Sequence, residues 1–497
     1  MSAVSFGARA RIVIVGAGFG GLAMGSALRR AGIDDFVIVE KGQDVGGVWR
    51  ENTYPGCSCD VPSHLYSLSA RPYRNARTRH PSQAEILDYL RDFTAAEGLR
   101  PHLRLGTALT GAHYDDSSGT WTLTVTGGGE YLAETVVFAV GQLHRPFRPD
   151  IPGLDSFGGA AFHSARWDHS VPLAGRKVAV IGTGSSGAQL LPHVAAVADQ
   201  VTVYQRTPHW VLPKPRAEFG PVLRRALAVP GMHSVYRKAL YYGADLTLTP
   251  LLRGGWSAGL AERIARTHLR REVPDPALRA ALTPGHPIGA KRILFDSTIY
   301  RALQRDNVEL VTDPLRRITA DGIETGGGRH RPHDVLVFAT GFRASEFLTP
   351  ITVRGRGGAL LGERWRTAPD AYLGLAVPQF PNLFLIAGPN SFISTGSNPE
   401  IKERQIAFIL KCLRWQEESG LRAIEINPVA ASRYRQWLQG RLDRTVLGAD
   451  VPSWYKNADG AVTNPWPASA RQFARMTATH PAESFHAVQL SRCTCAG

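Results

Sequence analysis

The sequence predicts an α/β protein built on two Rossmann-like dinucleotide-binding units, with a helical insertion in the second. Three observations carry that expectation. An apolar run, Arg11-Ile-Val-Ile-Val15, leads into Gly16-Ala-Gly18-Phe-Gly-Gly21 and then a small-residue helical stretch, Leu22 to Ala31. The same order returns at Lys177-Val-Ala-Val-Ile181, Gly182-Thr-Gly184-Ser185-Ser186-Gly187 and Ala188 to Val197. Two further apolar strands end on glycine, Thr135 to Gly141 and Asp334 to Gly341. Continuous apolar runs mark parallel strands buried on both faces. Gly-x-Gly-x-x-Gly between strand and helix lets the backbone close on a pyrophosphate at the helix N-terminus.

Composition bounds what those units serve. The chain has 497 residues, 43% hydrophobic and 20% charged, which describes an ordinary globular protein of two or three domains. The formal net charge of +15 is scattered, mostly as arginine, with no run of five basic residues. Nucleic-acid binding is therefore not expected, whereas a polyanionic cofactor suits such a surface. The cysteines are Cys57, Cys59, Cys412, Cys493 and Cys495, with no Cys-x-x-Cys pair and no zinc spacing, so neither a metal nor a dithiol is expected. Met1–Ala10 lacks the apolar core of a signal peptide, and the richest apolar stretch, Ala371 to Gly388, is broken by Pro378 and Pro381. No membrane span and a cytoplasmic setting are expected.

The first unit continues with a strand, Phe36-Val-Ile-Val39, ending on Glu40, a carboxylate placed to accept hydrogen bonds from ribose hydroxyls. Gly46-Gly47-Val-Trp49-Arg50 and Tyr54-Pro-Gly-Cys-Ser-Cys-Asp60-Val-Pro-Ser63 are too rich in glycine and proline for helix or central strand. A loop there could run along an extended cofactor, which fits a flavin dinucleotide. Asp60 is the one acid between Glu51 and Glu85, either a partner for a nearby cation or a turn cap. Pro81 to Leu99 reads as an amphipathic helix, and Gly111 to Glu130 as a small antiparallel excursion. The strand from Thr135 brings Gly141 and Gln142 to its end facing the first nucleotide site. Pro146, Pro149 and Pro152 then mark a linker.

The second turn compares with the first position by position. Arg206 lies as far beyond Gly182 as Glu40 lies beyond Gly16, 24 residues in each case. The slot that holds a ribose-binding carboxylate in one unit holds a guanidinium in the other. A carboxylate repels a 2′-phosphate, while Arg206 and the Thr207 hydroxyl suit one. The first site is accordingly expected to take FAD and the second NADPH.

Just before that second turn stands Phe157-x-Gly159-x-x-x-His163-x-x-x-Trp167-Asp168. Between two Gly-x-Gly-x-x-Gly turns, this pattern resembles the fingerprint of the type I Baeyer–Villiger monooxygenases, in the flavin-containing monooxygenase superfamily. Relatives that oxygenate nitrogen or sulfur usually carry another aromatic in place of Trp167. The resemblance extends over Gly46 to Ser63, Gln205-Arg-Thr-Pro208, Pro287-Ile-Gly-Ala-Lys291-Arg292, Ala339-Thr340-Gly341 and Ala387-Gly-Pro389, roughly residues 11 to 470. It implies FAD and NADPH as cofactors and a ketone and O2 as substrates, with one oxygen atom inserted beside the carbonyl through a flavin C4a-peroxide. Arg292 would be the active-site arginine and Asp60 its modulator. Lys291 would help hold the 2′-phosphate, and Gly47, Trp49, Tyr54, Gln142, Thr340 and Gly341 would line the cofactors. His163 would couple domain positions, and Ser453-Trp454-Tyr-Lys456 would be a segment that folds over NADP.

The remaining chain divides accordingly: 1–145 and 335–497 for the FAD domain, 146–334 for the NADPH domain, with a helical insertion at about 214–284 broken at Pro230-Gly231 and Gly254-Gly255. Asp334 to Gly341 is expected to return the chain to the first domain, and residues beyond His480 to be peripheral. Two rivals stay open beside the main reading. A flavin monooxygenase acting on amines or sulfides would have no need of Arg292, and a flavin-dependent disulfide reductase would need a dithiol. A non-catalytic nucleotide sensor would leave Asp60 and Arg292 without a role.

Overall fold

A computed structural model describes residues 8–73, 78–215, 218–229, 231–394 and 396–490. Pro230, Cys493, Cys495 and the first residues of the leader lie outside these. Two large sheets, one mixed and one parallel, organise the rest. In the first, the strand Ala8–Val15 lies between Phe36–Val39 and Glu130–Phe138, with Leu103–Arg104 beyond Phe36–Val39. On its edge away from Ala8–Val15 the long strand Glu130–Phe138 serves two partners. Its first half pairs antiparallel with Thr120–Val125, and its second half pairs parallel with Leu383–Leu385. The antiparallel excursion therefore starts at Leu109 and ends inside a core strand.

The second sheet is parallel throughout, in the order Val308–Val311, Gln200–Tyr204, Lys177–Ile181, Val335–Phe338, Ala160–His163. Its central strands are apolar because helices or loops cover both faces: Val178, Val180, Val201, Leu336 and Val337 are fully buried. This order corrects one expectation. Val335–Phe338 does not return the chain to the first sheet; it fills the slot between Lys177–Ile181 and Ala160–His163. The return begins after Phe338. A buried apolar strand followed by glycine suits a slot in either sheet, so the local pattern could not distinguish them.

The two crossings between sheets run side by side. Phe147 N donates to Gly341 O at 2.8 Å and Arg343 N to Arg145 O at 2.9 Å, with a bridge between Pro146 and Phe342. The helices start in two ways. Phe19–Arg30 and Ser185–Val197 begin at Gly18 and Gly184, which carry no capping side chain, whereas Gln83–Ala96 begins in a capping box of Ser82 and Glu85. Between the third and fourth strands of the second sheet in sequence, Gln200–Tyr204 and Val308–Val311, Pro221–Ala228, Met232–Leu252, Trp256–Glu272 and Pro276–Ala281 form the helical layer. The tail is not peripheral: Phe485–Ala487 pairs antiparallel with Ile424–Ile426, and Phe485 is buried among Tyr372, Phe384 and Phe408. Three residues are too short a strand for periodicity to reveal.

Candidate active site

Asp60 and Arg292 are 232 residues apart and meet at the junction of the two units. Arg292 Nη2 donates to both carboxylate oxygens of Asp60, at 2.8 and 2.6 Å. The loop from Tyr54 to Ser63 positions the acid: Cys59 N donates to Pro81 O and Ser63 N to Arg79 O, so the turn is tied to the chain entering Gln83–Ala96. The arginine is positioned by a short parallel pairing, Val211–Leu212 with Leu294–Phe295, in which Leu294 N donates to Trp210 O. The Trp210 indole in turn donates to His286 O at 2.8 Å. Both partners of the pair are only partly accessible, with side-chain exposures of 29% for Arg292 and 16% for Asp60.

Burial acts to raise the Asp60 pKa, but the Arg292 charge and hydrogen bond, and then Lys214, hold it below the usual carboxylate range. Burial acts to lower that of Arg292, and Asp60 with Tyr455 drives it up instead. The pair is ionised at neutral pH. Its surroundings are aromatic: the Arg292 guanidinium lies 5.7 Å from the Phe392 ring, and Phe392 packs edge-on to Trp454 at 5.0 Å. Trp454 thus reaches Arg292 through Phe392 rather than directly.

Two groups near this pair, a lysine and a neutral histidine, had no signal in the sequence. Lys214 bears on Asp60, Cys59 and His80 and has its Nζ 3.4 Å from Ser58 Oγ. His80 is 6% exposed, neither ring nitrogen has a hydrogen-bond partner, and the Val61 backbone lies against it without a formed bond. Burial, then Lys214 and Arg79, bring its pKa down to about 4. Only the folding of the loop at Asp60 against the start of the helical layer brings these residues together.

The first nucleotide turn has the shape its glycines predict. Gly16 has φ +104°, and a Cβ there would stand 2.7 Å from Ala139 O; at Gly21 it would stand 1.8 Å from Gly16 O. Gly18 is different, with only the Gly47 Cα nearby at 3.7 Å. Glu40, 5% exposed, accepts from Ala17 N and Gly42 N at 2.8 Å each and from Arg50 Nη1 at 3.0 Å. Trp49 Nε1 donates to Tyr66 OH, and Tyr54 OH donates to Gln189 Oε1 on the helix of the second turn. Gln142 Nε2 donates to the Ala387 carbonyl at 3.0 Å, and Ala387 holds a left-handed φ of 61°. Gln142 therefore pins the strand end opposite rather than standing free.

The second turn repeats the first. A Cβ at Gly182 would stand 2.6 Å from Ala339 O, one at Gly187 2.2 Å from Gly182 O, and one at Gly184 would meet nothing within 4 Å. The helix Ser185–Val197 has no acid in its first turn. Arg206 is exposed two residues past the strand's end, with half-buried Thr207 beside it. This corrects the expected equivalence: Ile181 pairs with Tyr204 as Val15 pairs with Val39, so buried Gln205 stands in the slot of Glu40 and the guanidinium one residue beyond it. Lys291 is 7% exposed, and burial and then the Arg206 charge bring its pKa down to about 8. Among the described residues neither cation has a carboxylate partner, and the charge of one bears on the other.

These features fit two dinucleotides. Two helices start without a capping side chain at Gly18 and Gly184, a carboxylate stands in the first ribose slot, and a Lys–Arg couple without a carboxylate partner among the described residues stands beside the second. No group of His, Cys, Asp and Glu capable of holding a metal occurs among the described residues.

The Phe157–Asp168 motif stands apart from the Asp60–Arg292 pair and ties the units together. Phe157 packs under the second sheet, and a Cβ on Gly159 would stand 2.3 Å from Asp334 O. His163 Nδ1 accepts from Ala165 N at 3.0 Å, which leaves Nε2–H to donate to Gly341 O at 2.9 Å. Burial brings its pKa down to about 4, so the ring is neutral. Trp167 packs edge-on to Phe162, Asp168 caps the Ser170 N–H, and Thr340 Oγ1 donates to Phe147 O. Arg166 and His169 reach across to Glu51 and Thr53 of the first unit.

Comparison with known proteins gives the same outline. The family model described as pyridine nucleotide-disulphide oxidoreductase matches residues 13–229. A Baeyer-Villiger monooxygenase of Streptomyces coelicolor is 38% identical over 470 residues, covering 94% of this chain and 90% of that protein. The structure of cyclohexanone monooxygenase from Rhodococcus sp. Phi1 bound to NADP+ is 28% identical, with a TM-score of 0.86 over 97% of this chain and 99% of the other. OTEMO in complex with FAD and NADP is 27% identical, with a TM-score of 0.86 over 97% and 100%. Among the described residues no helix is long and apolar enough to cross a membrane.

Proposed function

The chain belongs to the Baeyer–Villiger monooxygenases, and from that premise we propose that Arg292 and Asp60 are the charged pair at which a ketone is converted to its ester or lactone. The enzyme is an FAD- and NADPH-dependent flavin monooxygenase. Bound FAD, reduced by NADPH, supplies the activation of O2 from which one oxygen atom enters beside the carbonyl and the other leaves as water.

The chain's own residues do the rest. Glu40 takes the FAD ribose and the uncapped helix Phe19–Arg30 its pyrophosphate, with Gly18 and Gly47 giving the backbone room. Gly184, Ser185 and Ser186 meet the NADPH pyrophosphate, and Arg206, Thr207 and Lys291 its 2′-phosphate. Arg292 supplies a permanent positive charge where negative charge develops on oxygen during attack on the carbonyl. Asp60 balances that charge when no substrate is present and fixes the guanidinium in place. Phe392, Trp454 and Tyr455 keep the space beside Arg292 apolar, so the charge acts with little screening by water. We assign 1–145 and the chain after Phe338 to the FAD domain, and the segment between to the NADPH domain.

The Arg292–Asp60 pair is the observation that carries this reading. Amine or sulfide oxygenation gives such a pair nothing to do. Disulfide reduction has no support either, because burial pushes the Cys57 thiol up to about 11 and that of Cys59 higher still. The test is a panel of cyclic, linear and aromatic ketones scored by NADPH consumption, with the product's mass checked for one added oxygen atom. Consumption without an ester or lactone from any ketone would overturn the assignment.

A further inference from the structure

Fourteen large apolar side chains are exposed among the described residues, and nine of them lie between Val222 and Ile264, in the helical layer. On the helix Met232–Leu252 the exposed residues include Met232, Val235, Ala239, Tyr242 and Leu246, recurring every three or four positions along one face. Leu246 is 68% exposed and Val235 58%. The next helix adds Trp256, Leu260 and Ile264 at four-residue spacing, with Trp256 63% exposed. A solvent-facing stripe is normally the polar side of a helix. Here the opposite side is the one that carries hydrogen bonds to the protein, through Arg237 to Ser67 and Ser69.

The charges around this stripe are of one sign. Exposed side chains from 221 to 271 include Arg224, Arg225, Lys238, Arg253, Arg270 and Arg271, and no exposed carboxylate. The acids of the segment are turned inward. Asp245 is buried and accepts from Ala470 N at 2.8 Å, and Glu262 is half-buried. Residues 221–271 hold nine lysines and arginines against two acids, so +7 of the chain's net +15 lies where the apolar surface is exposed.

We propose that this face docks on an anionic lipid bilayer, with the apolar stripe entering the headgroup boundary and the arginines meeting lipid phosphates. Apolar area and basic side chains on one surface are the two terms that bind a peripheral protein to such a membrane. Charge complementarity selects the bilayer over a second copy of this chain, because two copies would bring cationic faces together with no exposed carboxylate between residues 221 and 271 to answer them. No span is involved; the helices lie on the surface.

The test uses the full-length holoenzyme and sedimentation with vesicles of equal parts phosphatidylcholine and phosphatidylglycerol. It should co-sediment with these, remain in solution with pure phosphatidylcholine, and be released by salt. The Arg270→Ala/Arg271→Ala variant should lower partitioning about fivefold per residue removed. The Val235→Glu/Leu246→Glu variant should abolish partitioning while keeping its flavin. No partitioning of the wild type, or full partitioning of either variant, would overturn the proposal. So would self-association in sedimentation velocity that Val235→Glu/Leu246→Glu disrupts, without vesicle binding, since this face would then join two copies.

Discussion

Arg292 holds Asp60 through one nitrogen, Nη2, which reaches both carboxylate oxygens, so the rest of the guanidinium edge is not spent on the pair. A fork-on-fork pair would have closed the site; this one keeps donors for an incoming oxygen anion. Replacing Arg292 with alanine should therefore lower kcat for ketone oxygenation about 10²–10³-fold, the usual loss for a preorganised donor to developing negative charge. NADPH should still be consumed, now without ester. Product mass against NADPH turnover separates the two, and ester formation at the wild-type rate would show that Arg292 has no part in the chemistry.

The pair also sets an acid limit on stability. The Asp60 pKa lies below its unfolded value of about 3.9, so the native state gains from ionisation above that value and loses the gain as pH falls through the depressed one. Asp60→Asn leaves Arg292 partly buried beside a neutral amide. Its melting temperature should lie below that of the wild type by a constant margin from pH 8 to pH 5. The two curves should converge only below about pH 4. A gap that already closes near neutrality would mean that Asp60 is not held ionised by Arg292.

What the sequence made legible was whatever is local. Strand, glycine turn, helix and the residue at the next strand's end are contiguous, so Glu40 could be placed by register. Arg206 falls one residue beyond the matching slot, because Ile181 pairs with Tyr204 as Val15 pairs with Val39 and Gln205 therefore takes the place of Glu40. The capped helix Gln83–Ala96 and the break at Gly254 were legible for the same reason. The meeting of Asp60 with Arg292 was not, because it depends on two loops from different units, and only the family resemblance pointed to it. Lys214 and His80 carried no signal at all, since nothing in a lone lysine or histidine says which loop will fold over it. The slot of Val335–Phe338 was missed because a buried parallel strand looks alike in either sheet.

Lys291 and Arg206 should divide the reduced nicotinamide cofactors between them. Arg206→Ala removes a charge-assisted contact to the 2′-phosphate and should lower kcat/KM for NADPH about 10–100-fold, with NADH nearly unchanged. The Lys291 pKa of about 8 adds a pH signature. As pH rises past that value the free enzyme loses the ammonium, so kcat/KM for NADPH should fall while that for NADH does not. Because the Arg206 charge helps depress Lys291, the same limb should move to higher pH in Arg206→Ala. Equal losses with both cofactors, or a limb that stays in place, would refute the assignment.

The glycines of the second turn separate what the fold needs from what the cofactor needs. Gly187 is a packing glycine: a methyl group there would stand 2.2 Å from the Gly182 carbonyl, a backbone atom that cannot move without opening the turn. Gly184 has φ −70°, which any residue adopts, and a methyl group there would meet nothing within 4 Å. Gly187→Ala should therefore destabilise the folded enzyme by about 1–3 kcal/mol, as overpacking does. Gly184→Ala should leave melting temperature and flavin content as they are and still raise KM for NADPH and NADH alike, because the methyl group occupies the approach of the pyrophosphate both share. Flavin absorbance, thermal melts and steady-state kinetics on the two variants decide it. Unchanged KM in a stably folded Gly184→Ala would show that the pyrophosphate does not pass over this turn.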